Sequence, residues 1–125
     1  MGTYRDLVVW QRAIDLSVEV YSLTRSFPTD ERFGLTSQMR RAGVSVASNI
    51  AEGHGRDTAG SFAHFLSIAQ GSLKELETQT IIAERVGYID RDVAEAIGSR
   101  YAEVGRLLRP LIVHARNRAN PRTTN

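Results

Sequence analysis

The chain has 125 residues, 42% of them hydrophobic and 24% charged, a length and composition that fit one globular domain with its own core. It has no cysteine, which excludes disulfides and thiolate metal sites. The net charge of +2 is unevenly spread: six of the 16 basic residues lie from Arg100 onward, against one of the 14 acids, Glu103, so the body is mildly acidic and the C-terminal end basic.

In chain order, the first helix is expected over about residues 5–26, with Leu7, Trp10, Ile14, Val18 and Tyr21 at helical spacing, Thr3 as N-cap and Asp6 at the positive end of the helix dipole. Pro28 disfavours helical geometry at Phe27 and ends it. The second helix is expected from Thr29 or Asp30 to about Glu52, with Leu35, Met39, Ala42, Val46 and Ile50 as its apolar stripe. Gly34 and Gly43 lie inside that span; they mark close helix contacts or, at Gly34, a local break. Gly53 and Gly55 close the helix. The third helix is capped by Asp57 or Thr58 and runs to about Val86 through Phe62, Phe65 or Leu66, Ala69, Leu73, Leu76 and Thr80, with Gly87 as its stop. The fourth opens at Asp90 and follows Val93, Ala96 or Ile97, Tyr101, Val104, Leu107 or Leu108, Leu111 and Ala115, with a kink or an early end expected at Pro110. Residues 1–115 thus read as the folded unit and 116–125 as a basic, frayed tail. No strand-like alternation of useful length is present, so the chain reads as all-α, an antiparallel up-and-down four-helix bundle.

The stretch Ser45–Gly53 sets a second stripe beside the apolar one, with Ser45, Ser48, Asn49 and Glu52 at helical spacing. If the turn to the third helix is centred near residue 56, Arg41 lies about level with Gly71, Ser45 with Ser67 and Asn49 with Ala63. A polar seam of Arg41, Ser45 and Asn49 with Ser72 and Glu75 is then expected, unless Arg41 and Glu75 are simply solvated surface charges; a charge on a buried seam has to be paired.

Catalytic and metal signatures are missing. Neither Glu-x-x-His nor His-Glu-x-x-His occurs, and none of His54, His64 and His114 has the spacing of a metal ligand set. There is no Gly-x-Ser-x-Gly and no base adjacent to Ser45 or Ser48. The expectation is therefore no enzyme activity, no cofactor and no metal. Gly53-His54-Gly55-Arg56 ahead of a helix is either an anion site or a capping turn. The nucleic-acid cue is the basic end: Arg106, Arg109, Arg116, Arg118 and Arg122 are the candidate phosphate contacts. No run resembles a signal peptide or a membrane span, so a cytoplasmic protein without membrane contact is expected.

Several blocks resemble one family: Tyr4-Arg5-Asp6-Leu7-Val8-Val9-Trp10-Gln11, Phe27-Pro28, Leu35 to Ala42, Ser48-Asn49-Ile50-Ala51-Glu52-Gly53, and Phe65 to Gln79. They are similar to the bacterial four helix bundle proteins, also called 23S ribosomal RNA intervening-sequence proteins, over about residues 4–115. A more distant likeness is to the accessory factor of diversity-generating retroelements, a basic pentameric barrel that binds reverse transcriptase and nucleic acid. The resemblance implies an up-and-down bundle, a homopentamer and no established catalysis. It also implies that Ser48, Asn49 and Glu52, with Ser72, Glu75 and Glu77, fix helix pairing or subunit contacts. The expected role is an oligomeric RNA- or nucleoprotein-binding accessory module; the alternative is a protein assembly factor with no nucleic-acid affinity.

Overall fold

Three of the four helices begin where a side-chain oxygen accepts a first-turn amide. The computed structural model describes residues 2–121, in which four helices follow one another: α1 (Val8–Thr24), α2 (Leu35–His54), α3 (Ala59–Arg85) and α4 (Arg91–Ala119). The described residues contain no strand. Thr3 and Asp6 cap a single 3-10 turn, Tyr4–Asp6, rather than α1 itself: Asp6 accepts the Thr3 amide at 3.0 Å and Thr3 Oγ1 the Arg5 amide at 3.2 Å. After Pro28 a second such turn, Thr29–Glu31, is separated from α2 by Gly34, which is the local break. Glu31 then reaches forward to accept the Leu35 amide at 3.0 Å, satisfying an otherwise free helix donor.

Thr58 caps α3 by accepting the Ser61 amide at 3.1 Å, and Asp90 caps α4 by accepting that of Val93 at 2.9 Å. Gly87 takes φ = 89°, which lets the Tyr88 amide reach the Ala83 carbonyl (2.9 Å) and its own amide that of Glu84 (3.0 Å). Pro110 does not end α4, which continues to Ala119. Pro110 and Arg106 both lie on the exposed side of α4, away from the core. The expected tail at 116 is corrected accordingly: Arg116 to Ala119 are helical.

All four helices contribute to one core, built around Leu16, Met39, Ile50, Leu66, Leu73, Leu76, Tyr101 and Leu108. Each such side chain contributes roughly 1.5–3 kcal/mol on burial. The α2, α3 and α4 stripes are largely those read from the sequence, although Val93 at the start of α4 is exposed. The α1 stripe is not. The buried residues are Val9, Ala13, Leu16, Val20 and Thr24, whereas Ile14, Val18 and Tyr21 face outward. The helix is turned by about one residue, roughly 100°. Two neighbouring stripes of α1 are apolar, and the one carrying Ala13 admits the closest neighbour. A Cβ added at Gly43 of α2 would lie 3.6 Å from the Ser17 Cα. Gly53, expected as a stop signal, is instead buried inside α2, where an added Cβ would fall 2.7 Å from the Phe65 Cβ.

Candidate functional site

Short polar side chains bind one another across α2 and α3. Ser45 Oγ and Ser72 Oγ share a hydrogen bond of 2.7 Å, and Asn49 Nδ2 donates to the Ser45 carbonyl (2.8 Å) and to Ser45 Oγ (2.9 Å). Ser72 is buried and the other two half-buried, so the bonds offset the desolvation of these groups. The pairing lies about one helical turn further along α3 than a turn centred at residue 56 would put it: Ser45 meets Ser72, not Ser67. The Gly53 contact with Phe62 and Phe65 keeps the same register.

Arg41 and Glu75 flank this seam without joining it. Both are exposed and no ion pair within 4 Å links them, although they line one groove of about 400 Å³ with Gln38 and Gln79. The remaining motif residues point elsewhere. Ser48 is exposed, Glu52 pairs with Arg56 at 2.7 Å, and Glu77 pairs with Lys74 at 3.4 Å.

The C-terminal arginines do not gather into one patch. Arg106 and Arg109 line a groove with Lys74 and Glu77, Arg116 donates to Ser67 Oγ at 3.3 Å, and Arg118 lies beside His54, Arg56 and Asp57. Arg122 lies outside the described residues. The Gly53–Arg56 segment is a capping turn, in which the Gly55 amide returns to the Ala51 and Glu52 carbonyls.

A denser basic surface lies where the sequence reading placed only Arg41. A groove of about 670 Å³ along α1 and α2 is lined by Tyr21, Arg32, Arg40 and Arg41, with Ser37, Ser48 and Asn49 among its polar groups and no carboxylate. Arg40 is held in place: its Nε donates to Thr24 Oγ1 at 2.9 Å, and its guanidinium lies 4.7 Å from the Tyr21 ring centre. Arg32 lies 4.9 Å from the ring centre of Phe33, which is 85% exposed. The signals in the sequence are the Arg32-Phe33 and Arg40-Arg41 pairs, one on each side of Gly34.

Two tyrosines complete the polar groups. Tyr88 donates to Glu31 at 2.7 Å; the Leu35 amide, then the Tyr88 hydroxyl, lower the Glu31 pKa. Tyr101 shares a 2.7 Å hydrogen bond with Thr80, and burial pushes its phenol up to about 12. Arg100 Nε lies 2.7 Å from Glu19 Oε2 but off its N–H direction, so that pair is Coulombic rather than hydrogen-bonded. Among the described residues no three His, Asp or Glu side chains form a metal-ligand cluster, and no helix is long and apolar enough to cross a membrane.

Comparison with known proteins adds a family to this geometry. The model of the 23S rRNA-intervening sequence proteins matches residues 5–110. The chain belongs to that family. A solved structure of a protein of unknown function from the S23 ribosomal protein family of Bacteroides thetaiotaomicron VPI-5482 is similar, with 26% identity and a TM-score of 0.76. The match covers 84% of this chain and 98% of that one. No curated protein matches. In this 23S rRNA-intervening sequence family member, the family match takes in the serine seam and the α1–α2 groove but ends before Arg116 and Arg118.

Proposed function

We propose that the protein is a non-enzymatic, self-assembling bundle that acts as an RNA- or nucleoprotein-binding accessory module. The single observation behind this reading is the set of arginines left without carboxylate partners on its outer faces. Arg32, Arg40, Arg41, Arg106, Arg109 and Arg116 make no ion pair with any described residue. Guanidinium groups that the fold does not neutralise are available to phosphates. The polar groups inside the fold bond to one another, as Ser45, Asn49 and Ser72 do, which suits a packing role better than a chemical one.

The helices are read as running up and down in alternation. Neighbours pair in opposite order: Ser45 with Ser72 and Gly53 with Phe65, Ser67 with Arg116 and Thr80 with Tyr101, Arg12 with Glu103 and Glu19 with Arg100. Assembly with copies of itself, read as a homopentamer, takes its support from the outward apolar residues Ile14 and Val18, surface that this chain leaves uncovered; the number five is part of the proposal. The same stripe favours the second reading, a protein assembly factor that binds no nucleic acid.

Fluorescence anisotropy with a structured RNA, at low and at physiological salt, separates the two. Saturable binding that survives physiological salt is the expected result, with a salt slope that counts the phosphate contacts. No binding at either salt would reject the RNA reading in favour of the second.

A further inference from the structure

We infer that the α1–α2 groove is a binding site for single-stranded nucleic acid, with Arg32 and Arg41 on the phosphates and Phe33, beside Arg32 and outside the groove lining, as a stacking platform. The inference rests on the RNA-binding reading and assigns it a place and a strand type. Three observations carry it together. The groove presents three guanidiniums and no carboxylate. Of the acids nearest in sequence, Glu31 accepts from the Leu35 amide and the Tyr88 hydroxyl, Glu52 pairs with Arg56, and Asp30 is exposed but not part of the groove lining. Glu75 faces Arg41 only from the adjoining groove, beyond ion-pair distance. The lining of the groove itself is therefore net positive and matches a polyanion.

The second observation is aromatic. Phe33 is 85% exposed beside Arg32, and Tyr21 is 41% exposed beside Arg40. An apolar ring left in water next to a guanidinium offers an unpaired base both a stacking face and a cation–π partner. A duplex keeps its base faces covered and cannot use such a platform. The third observation is order. Arg40 is fixed by Thr24 and Tyr21 before any ligand arrives, so one cationic group is already oriented. Ser37, Arg41 and Ser48 then follow one face of α2 over roughly 16 Å, a track of donors along the groove.

The test uses the full chain and an unpaired RNA oligonucleotide of about 12 nucleotides, read by fluorescence anisotropy. The variants are Arg32→Gln with Arg41→Gln, Phe33→Ala alone, and Arg106→Gln with Arg109→Gln. All five side chains are exposed, and unchanged thermal unfolding checks that each variant folds. The groove pair is expected to weaken binding at least about tenfold and to lower the salt slope by about 1.4, two phosphate contacts' worth. Phe33→Ala is expected to weaken the unpaired strand severalfold and leave a duplex of the same sequence unaffected. The Arg106 and Arg109 pair, unpaired cations outside the groove, is expected to weaken binding of this short strand several-fold less than the groove pair does. Binding that is lost in the Arg106 and Arg109 variant but kept in the groove variants would overturn the groove while leaving the RNA reading standing. Absence of any RNA binding by the unaltered protein would remove both. Equal binding of duplex and single strand, or displacement by polyglutamate as effective as by RNA, would also overturn the inference.

Discussion

Two hydroxyl pairs link neighbouring helices, Ser45 with Ser72 and Thr80 with Tyr101, and each can be tested by breaking it. Removing the Ser45 hydroxyl leaves Ser72 without its cross-helix partner and takes one of two acceptors from Asn49. Ser72 can bond back to a carbonyl of its own helix, which limits the loss. Ser45→Ala and Ser72→Ala are each expected to cost about 1 kcal/mol, and the double variant less than their sum, with a coupling of about 0.5–1 kcal/mol in urea unfolding. Tyr101 gives a prediction in pH. Burial is the main reason its phenol rises to about 12 from an ordinary 10.0; Glu19 and Glu77 add to the rise and the Thr80 bond opposes it. A raised acid holds its proton longer in the folded state. Its contribution is therefore complete below pH 10.0 and lost as the pH climbs toward 12, by about 3 kcal/mol. Tyr101→Phe removes the titrating group. The variant should be less stable than the unaltered protein near about pH 8, by about 1 kcal/mol, and the gap should close or reverse by about pH 12. A gap that stays constant across that range would refute the assignment.

Between helices, the glycines make opposite predictions. At Gly53 an added Cβ meets the Phe65 Cβ at 2.7 Å and the Phe62 ring at 3.1 Å, and neither is the free end of a flexible chain. Gly53→Ala should cost about 1–3 kcal/mol through forced separation of α2 and α3. At Gly43 the nearest atom lies 3.6 Å away, an ordinary contact, and alanine recovers helix propensity. Gly43→Ala should be neutral or stabilising by up to about 1 kcal/mol. Reversed signs in chemical denaturation would mean that α2 packs differently. The same elements show what could be read from the chain. The stripes of α2 and α3 were legible because each has a single apolar face, and the Ser45–Ser72–Asn49 seam because its residues recur at one helical period. Its register was not, because the length of the link after Gly55 does not fix where α3 begins to pack. The α1 face was misread for a different reason. Periodicity ranks spacing, and Trp10, Ile14, Val18 and Tyr21 are as well spaced as Val9, Ala13, Leu16 and Val20. Only the approach of Gly43 to Ser17 selects the second set. The arginine groove was hidden because its members come from α1, from the segment before α2 and from α2, and no local spacing brings Tyr21 to Arg40.

At the scale of the whole molecule, the turned α1 becomes the central fact. Its second apolar stripe would be wasted in a lone chain: Val18 is 64% exposed and Ile14 lies on the same side, while Tyr21 borders the groove. A covering partner removes that surface from water, which is how the proposed self-assembly gains its drive. Val18→Arg places a charge in the middle of the stripe without touching the core. If copies meet there, light scattering should fall from a multiple of 13.9 kDa, five for the proposed pentamer, to a single 13.9 kDa chain, with helical content unchanged. A mass of 13.9 kDa for the unaltered protein at micromolar concentration would reject assembly outright. An unchanged multiple in the variant would place the interface on another face. Assembly also bears on the groove, since each copy brings its own. A short oligonucleotide occupies one groove and should bind the assembled and dissociated forms alike. A long RNA that spans several grooves should bind the assembled form more tightly, because every contact after the first is made at high effective concentration. The ratio of the two affinities, long over short, should therefore drop toward one in Val18→Arg.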